Sequence, residues 1–201
     1  MSGEPTIDQA FLKEVHHRVK NNLQIVCSLL RLQRRGVEDL AVQDVFKRSE
    51  ERIQSMALVY DKLHRGDGYD TVPLHEYLQE MIVQLVCSVR ARDERPQLHF
   101  RLTSTLVSSR DATAIGLLVN ELVSNHLRVH APDSQGPLTV IMERREDQTR
   151  IWLNETGRDD LNQSGLGVMD QQILDALVRQ VNGHLDYPAD TGGAACVSFS
   201  L

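Results

Sequence analysis

The sequence predicts an α+β protein in which an N-terminal antiparallel helical hairpin, residues 1–66, precedes an α/β sandwich, residues 72–201. Between Pro5 and residue 65 the chain has a single glycine, Gly36, and no proline, which is typical of long helices. Residues 64–73 then bring glycine and proline together, as expected of a linker. After that linker, helical and strand periodicities alternate, which favours a layered second domain.

The hairpin is predicted from two stripes of residues that recur at spacings of three and four on either side of Gly36. The first stripe consists of Leu12, His16, Val19, Leu23, Val26 and Leu30, and the second of Phe46, Ser49, Ile53, Met56, Tyr60 and Leu63. The turn between the helices is expected near residues 36–39. Because one hairpin leaves both stripes half covered, we expect a homodimer in which two hairpins form a four-helix bundle.

The second part of the chain shows three helical patterns and five strand patterns. The helices are predicted at residues 74–90, 112–130 and 171–182, and the strands at 97–103, 138–144, 149–154, 184–187 and 195–201. Residues 146–148 provide the turn of a strand hairpin. This order predicts helices packed on an antiparallel type of sheet, with no sign of a barrel.

Composition excludes several classes of function. The chain carries 22 Lys and Arg against 28 Asp and Glu, a net charge of −6, and only 4% aromatic residues, so we expect no nucleic-acid partner. Its apolar runs are shorter than a membrane span and its N-terminus has no signal-peptide core, so we expect no membrane partner. Three widely spaced cysteines predict reduced thiols and a cytoplasmic location.

Two adjacent histidines of the first helix are predicted to differ in exposure. A rotation of about 100° per residue places His16 on the apolar stripe, where a satisfied core histidine is the ordinary interpretation. The same rotation places His17 on the polar face, together with Lys13, Glu14, Asn21, Gln24 and Ser28. His17 is therefore the candidate for chemistry, although it is also one of eight histidines in the chain and can simply be a solvent-exposed side chain.

An exposed neutral imidazole is a nucleophile that can accept a phosphoryl group near neutral pH. Glu14, one turn before His17, is placed to accept a hydrogen bond from the second ring nitrogen and to select the tautomer. Arg18 and Lys20 are candidates to offset phosphate charge close to His17. Asn21, one turn after His17, is a candidate to orient a phosphate or a water, or is a surface amide without a role.

Residues 12–33, which include His17-Arg-Val-Lys-Asn21, resemble the phosphoacceptor helix of two-component histidine kinases whose signature is His-Arg-x-Lys-Asn. In that family the histidine directly before this signature arginine is phosphorylated, so the resemblance implies His17 as the phosphoacceptor. It also implies a dimeric hairpin that docks response-regulator receiver domains. The resemblance continues more weakly to the end of the chain and implies a histidine-kinase type of α/β sandwich.

Asn120-Glu-Leu-Val-Ser-Asn125 resembles the segment of the same family that holds Mg²⁺ on ATP. The resemblance implies a magnesium role for Asn125, with Glu121 one turn earlier on the same helix face, where a surface pair is the plain alternative. His126 stands where the family has a small residue. His126 and His130 also have the spacing of two metal ligands, which do not make a site by themselves.

The next nucleotide motif departs from the family. Where the family has Asp-x-Gly-x-Gly, an alignment without gaps gives Asn154, Thr156 and Arg158, which replace the adenine-reading carboxylate and both glycines. Residues 164–167 resemble the glycine-rich lid only if three residues are inserted, and they otherwise look like an ordinary loop. We therefore expect a degenerate nucleotide site built from Glu121, Asn125 and Asn154.

These features predict a histidine phosphotransferase that passes a phosphoryl group between receiver aspartates through His17. The 201 residues hold no sensor or receiver pattern, so we expect the phosphoryl group to come from another protein. Phosphotransfer of this kind requires no cofactor of the chain's own, since Mg²⁺ comes with the receiver. The alternatives are a cytoplasmic sensor histidine kinase that uses ATP and Mg²⁺ to phosphorylate His17, and a non-catalytic dimeric module that binds receivers.

Overall fold

A computed structural model describes residues 7–63, 71–91, 95–129, 137–146, 148–155, 168–186 and 195–200. The chain divides into two compact units, one formed by residues up to Pro73 with Leu106–Thr113, and the other by Leu74–Thr105 with Ala114 onward. The domain ranges 1–66 and 72–201 stay a prediction. In the ranges described, no helix combines the length and the apolar character needed to cross a membrane.

The first unit contains the predicted helical hairpin, formed by α1 (Ile7–Arg35) and α2 (Leu40–Lys62). The turn begins where the backbone N–H of Gly36 donates to the carbonyl of Gln33 at 3.0 Å. Asp39 caps α2, because its side chain accepts a hydrogen bond from the backbone N–H of Ala41 at 2.8 Å. The hairpin and the position of its turn are therefore confirmed.

The interface between α1 and α2 includes Cys27, which is 5% exposed and donates to the carbonyl of Glu50 at 3.9 Å. Burial and the nearby Glu50 carboxylate raise the pKa of the Cys27 thiol. The predicted apolar stripe meets α2 at His16, whose ring lies against that of Tyr60, whereas Val26 on the same stripe is 41% exposed. Contacts within one hairpin thus leave part of the stripe uncovered, as the sequence predicts.

A short two-stranded sheet completes the first unit. It pairs β1 (Thr71–Pro73) with β3 (Leu106–Ser108) in antiparallel register, with Val72 opposite Val107 and both side chains buried. The linker assigned to residues 64–73 is wrong at its end, since residues 71–73 form this strand, while residues 64–70 lie outside the described part. A strand of three residues is too short to show an alternating pattern, so neither strand was predicted.

The second unit is a five-stranded sheet with helices. Its strands lie in the order β2 (Leu98–Leu102), β4 (Leu138–Arg145), β5 (Gln148–Glu155), β7 (Ala195–Ser200) and β6 (His184–Asp186). Its helices are α3 (Leu74–Val89), α4 (Ser109–Val129) from Ala114 onward, and α5 (Val168–Gln180).

The expected antiparallel type of sheet is corrected at one strand pair. β2 pairs with β4 in parallel, whereas the other three strand pairs described in this sheet are antiparallel, so the sheet is mixed. The reason is the connection between these strands, which runs through α4 and brings the chain back to the same end of the sheet before β4 begins.

The core of the second unit lies on one face of this sheet. Alternate residues of the three central strands are buried, namely Leu138, Val140 and Met142, then Thr149, Ile151 and Leu153, then Ala195, Val197 and Phe199. α3 and α4 contribute fully buried side chains to the same core, among them Tyr77 and Ile115. This packing fixes the position of α4, which carries the candidate nucleotide residues.

Candidate functional site

The first candidate site surrounds His17 on α1. His17 is exposed, whereas His16 is half-buried and its ring lies 5.9 Å from the ring of Tyr60 on α2, tilted by 57°. The predicted difference between the two histidines is confirmed. Because one α-helix turn contains 3.6 residues, the contact of His16 with α2 places His17 about 100° around the helix from that contact, where its side chain is exposed.

A carboxylate and a guanidinium lie within one turn of His17. Glu14 Oε1 accepts a hydrogen bond from Arg18 Nε at 2.7 Å, and the two side chains are 57% and 75% exposed. This hydrogen bond and the positive charge of Arg18 hold the pKa of the Glu14 carboxyl below its ordinary value, and His17 acts in the same direction. Glu14 is therefore a carboxylate beside the candidate nucleophile at neutral pH.

The remaining predicted residues on α1 divide between two directions. Asn21 is exposed, one turn after His17 on the polar face. Lys20 Nζ instead donates a hydrogen bond to Asp61 Oδ1 of α2, in an ion pair whose side chains are 27% and 30% exposed. The structure thus brings Glu14, Arg18 and Asn21 to the open face with His17. The ammonium group of Lys20 points instead to α2, where it pairs with Asp61.

An Arg18→Gln variant is expected to raise the pKa of Glu14 toward its ordinary value of 4.5. The contribution of this pair to folding stability is present above the ordinary pKa and declines as the pH falls through the lowered folded pKa, so the variant loses this contribution at pH values above 4.5 and matches the wild-type protein at strongly acidic pH. Titration of the Glu14 carboxyl by NMR measures the shift. Arg48→Gln, which removes a similar pair with Asp44 on α2, is the control and is expected to leave the pKa of Glu14 unchanged.

The second candidate site lies on α4, where the residues of the predicted nucleotide segment are mostly buried. Asn120 and Glu121 are 3% and 6% exposed, and His126 is 7% exposed. The Oδ1 atom of Asn125 is buried and has no hydrogen-bond partner among the described residues. A buried acceptor without a partner is uncommon in proteins, and an amide oxygen is a suitable ligand for a hard cation such as Mg²⁺.

Several predicted residues cannot be placed beside Asn125. Residues 130, 156, 158 and 164–167, and the side chain of Asn154, lie outside the described part of the chain. Within the described ranges there is no cluster of three or more His, Cys, Asp or Glu side chains able to hold a metal ion. The roles of Glu121, Asn125 and Asn154 in a nucleotide site stay predictions.

Sequence reasoning missed two residues near His17, Tyr60 and Asp61 on α2. Tyr60 was part of the predicted stripe, but its contact with His16 depends on the register of the two helices. Asp61 carried no signal of its own, because a single acidic residue on an exposed-looking helix face is ordinary. Charge pairing between the helices, once the turn at residues 36–39 sets the register, is the signal that would have found it.

Comparison with known proteins gives consistent matches. Residues 14–89 match the HisKA_2 family model, described as histidine kinase. The chain is 33% identical over 162 residues to the sensor histidine kinase PdtaS of Mycobacterium tuberculosis H37Rv, which covers 79% of this chain and 30% of that protein. It is 26% identical over 187 residues to the blue-light-activated histidine kinase 2 of Erythrobacter litoralis, covering 87% of this chain and 52% of that protein.

Solved structures agree with this match at the level of fold. The histidine kinase domain of Erythrobacter litoralis EL346 superposes with a TM-score of 0.66 at 24% identity, covering 94% of this chain and 90% of that one. The architecture of two N-terminal helices followed by a mixed sheet is therefore that of the EL346 domain. The chain spans about a third of the length of PdtaS and about half that of the blue-light kinase.

Proposed function

We propose, from the homology of this chain to sensor histidine kinases, that it is a two-component histidine phosphotransferase that passes a phosphoryl group between receiver aspartates through His17. The observation that carries the proposal is the exposed imidazole of His17 on the hairpin, inside the stretch that matches the family model. Glu14 and Arg18 lie one turn or less from it. Response-regulator receiver domains are the proposed partners.

The chemistry follows from this arrangement. The unprotonated ring nitrogen of His17 forms a bond to phosphorus while the bond from phosphorus to the receiver's aspartate oxygen breaks, and the electron pair returns to that carboxylate. The other ring nitrogen keeps its proton, so the phosphorylated ring is positively charged and Glu14 stabilises it. In the onward step an acceptor carboxylate attacks phosphorus and the electron pair of the P–N bond returns to the ring.

Arg18 and Asn21 have supporting roles in the proposed reaction. The guanidinium of Arg18 offsets negative charge on the phosphoryl group as it approaches His17. The amide of Asn21 orients the phosphoryl oxygens, or a water during dephosphorylation. The Mg²⁺ that the reaction requires is supplied with the receiver's own acidic site, so this chain needs no cofactor for the transfer.

The proposed protein is a homodimer whose two hairpins form a four-helix bundle. Large apolar side chains are exposed on both helices, namely Phe11, Val15, Ile25, Val26, Leu29 and Leu32 on α1 and Leu40, Val42 and Val45 on α2. Exposed apolar side chains in this number on two helices favour a surface that a second molecule covers. Light scattering at micromolar concentration is expected to give twice the chain mass, and a monomeric mass would contradict the dimer.

ATP-dependent autophosphorylation of His17 is the second candidate, favoured by the buried Oδ1 of Asn125, which has no partner in the described ranges. Asn125 would hold Mg²⁺ and Glu121 lies one turn earlier on the same helix. ATP with Mg²⁺, when bound, would supply the phosphoryl group. The replacements at Asn154, Thr156 and Arg158 place this candidate second, because they remove the carboxylate and both glycines of the family motif.

The deciding experiment supplies the wild-type protein with two phosphoryl donors in parallel, a panel of phosphorylated receiver domains or γ-labelled ATP with Mg²⁺. Phosphotransfer predicts acid-labile, base-stable label from at least one receiver and none from ATP. Label from ATP that an Asn125→Ala variant abolishes would favour the kinase. No label from any donor would contradict both and leave a non-catalytic module that binds receivers.

A further inference from the structure

Two consecutive residues of α2 contact α1 on either side of His17. The ring of Tyr60 lies against the ring of His16, and Asp61 accepts the hydrogen bond from Lys20. His16 precedes His17 by one residue and Lys20 follows it by three. Along α1, one contact therefore lies before His17 and the other after it.

These contacts restrict how far α1 can rotate about its own axis. His16 and Lys20 are four residues apart, so their side chains lie one above the other on the face that meets α2. A rotation of α1 would separate both pairs at once, since each acts on the same face. His17 lies about 100° from His16 around the helix, so the same two contacts determine the direction of its ring.

The Lys20–Asp61 pair is placed to exert this restraint. Its side chains are 27% and 30% exposed, compared with 57% and 75% for the Glu14–Arg18 pair on the open face. Partial burial reduces screening by water and salt, so the pair is a firmer link than an ordinary surface ion pair. It also joins residues 41 positions apart, and therefore links two helices, whereas Glu14 and Arg18 belong to one.

We propose that the Lys20–Asp61 ion pair, together with Tyr60, positions His17 for phosphoryl transfer by fixing the rotation of α1. The inference rests on the proposed role of His17. In-line attack requires the ring nitrogen, the phosphorus and the leaving oxygen to be aligned, and a misplacement of about 1 Å can cost about 100-fold in rate. Lys20 acts through this alignment, and the charge offset at the phosphate comes from Arg18.

The test compares transfer rates from a saturating phosphorylated receiver for Lys20→Met, Asp61→Asn and the exchanged pair Lys20→Asp/Asp61→Lys. Each single variant is expected to transfer about 10-fold to 100-fold more slowly, within the range that misalignment produces. The exchanged pair is expected to recover most of the rate, because it restores the link with the charges reversed. Tyr60→Phe, which keeps the ring, is expected to behave as wild type, and Tyr60→Ala to transfer slowly.

A direct role of Lys20 at the phosphate makes opposite predictions. Asp61→Asn would then leave the rate unchanged or raise it, because Lys20 would remain. The exchanged pair would be at least as slow as Lys20→Met, because an aspartate at position 20 repels the phosphoryl group. Either result would overturn the positioning role.

The matched control is Arg31→Met, which removes another ion pair that joins the two helices. Arg31 Nε lies 2.5 Å from Glu50 Oε1, and Arg31 is about 16 Å further along α1 than Lys20. Arg31→Met is expected to transfer at the wild-type rate, because the pair that it removes lies about three helical turns from the level of His17, and melting curves compare its loss of stability with that of Lys20→Met. An equal loss of rate in Arg31→Met would assign the effect to hairpin stability and overturn the inference.

The outcome for the wild-type protein separates the two proposals. If the wild-type protein takes no label from any receiver, the proposed function fails and this inference fails with it. If the wild-type protein is labelled and both single variants transfer at its rate, only the positioning role is overturned.

Discussion

A His17→Gln variant is expected to accept no phosphoryl group from a phosphorylated receiver, a loss of at least about 1,000-fold, because removal of a nucleophile removes the step itself. Glutamine keeps a polar side chain of similar length, but its amide nitrogen does not attack phosphorus. His17 is exposed on α1, so the substitution leaves the hairpin packing in place. The measurement is acid-labile label on the variant and on the wild-type protein after incubation with the same labelled receiver.

The control is His99→Gln, which replaces an exposed histidine of β2 in the second unit and is expected to be labelled like the wild-type protein. Melting curves of both variants show whether a lost label reflects lost folding. Label that survives His17→Gln but disappears in His16→Gln would place the acceptor on the neighbouring histidine. That outcome would contradict the assignment drawn from exposure and from the family signature.

The hairpin and the direction of His17 were predictable because both follow from helical periodicity. A stripe of residues at spacings of three and four identifies one face of α1, and the opposite face follows by rotation. The contacts of Lys20 and Tyr60 were not predictable in this way. They depend on which residues of α2 lie opposite α1, and that register is set by the turn after Gly36 and by packing around Cys27.

The second unit shows the same division between local and non-local information. Central strands such as β4 and β5 were predictable, because eight residues are enough to show alternation. The parallel pairing of β2 with β4 depends on the route of the chain through α4, which periodicity does not contain.

The burial of Glu121 could not be predicted from local sequence, because it depends on tertiary packing. Spacing places Glu121 and Asn125 on one helix face, yet only the packing of the sandwich shows that Glu121 is 6% exposed. The alternative interpretation, in which Glu121 and Asn125 form a solvent-exposed surface pair, is therefore wrong for Glu121.

Gly116→Ala is expected to destabilise the second unit by about 1–3 kcal/mol, the usual cost of overpacking a core. A Cβ atom at Gly116 would lie 1.9 Å from the hydroxyl oxygen of Tyr77 and 2.5 Å from two of its ring carbons. Tyr77 is on α3 and is 0% exposed, so its ring cannot move without displacing its neighbours. Urea unfolding followed by far-UV circular dichroism measures the loss, and the fluorescence of Trp152 on β5 reports on the second unit.

Two further variants decide whether the close contact with Tyr77 is the cause. Gly36→Ala is the control, because a Cβ atom there would meet its nearest atom, the Gln33 carbonyl oxygen, at 3.6 Å, and we expect a change below about 1 kcal/mol. The double variant Gly116→Ala/Tyr77→Leu is expected to lose less free energy of unfolding than the sum of the losses of its two single variants, since the smaller side chain makes room for the methyl group. Additive losses would contradict the contact as the cause. Since α4 also carries Glu121 and Asn125, a shift of this helix away from α3 would weaken ATP binding if the kinase candidate is correct.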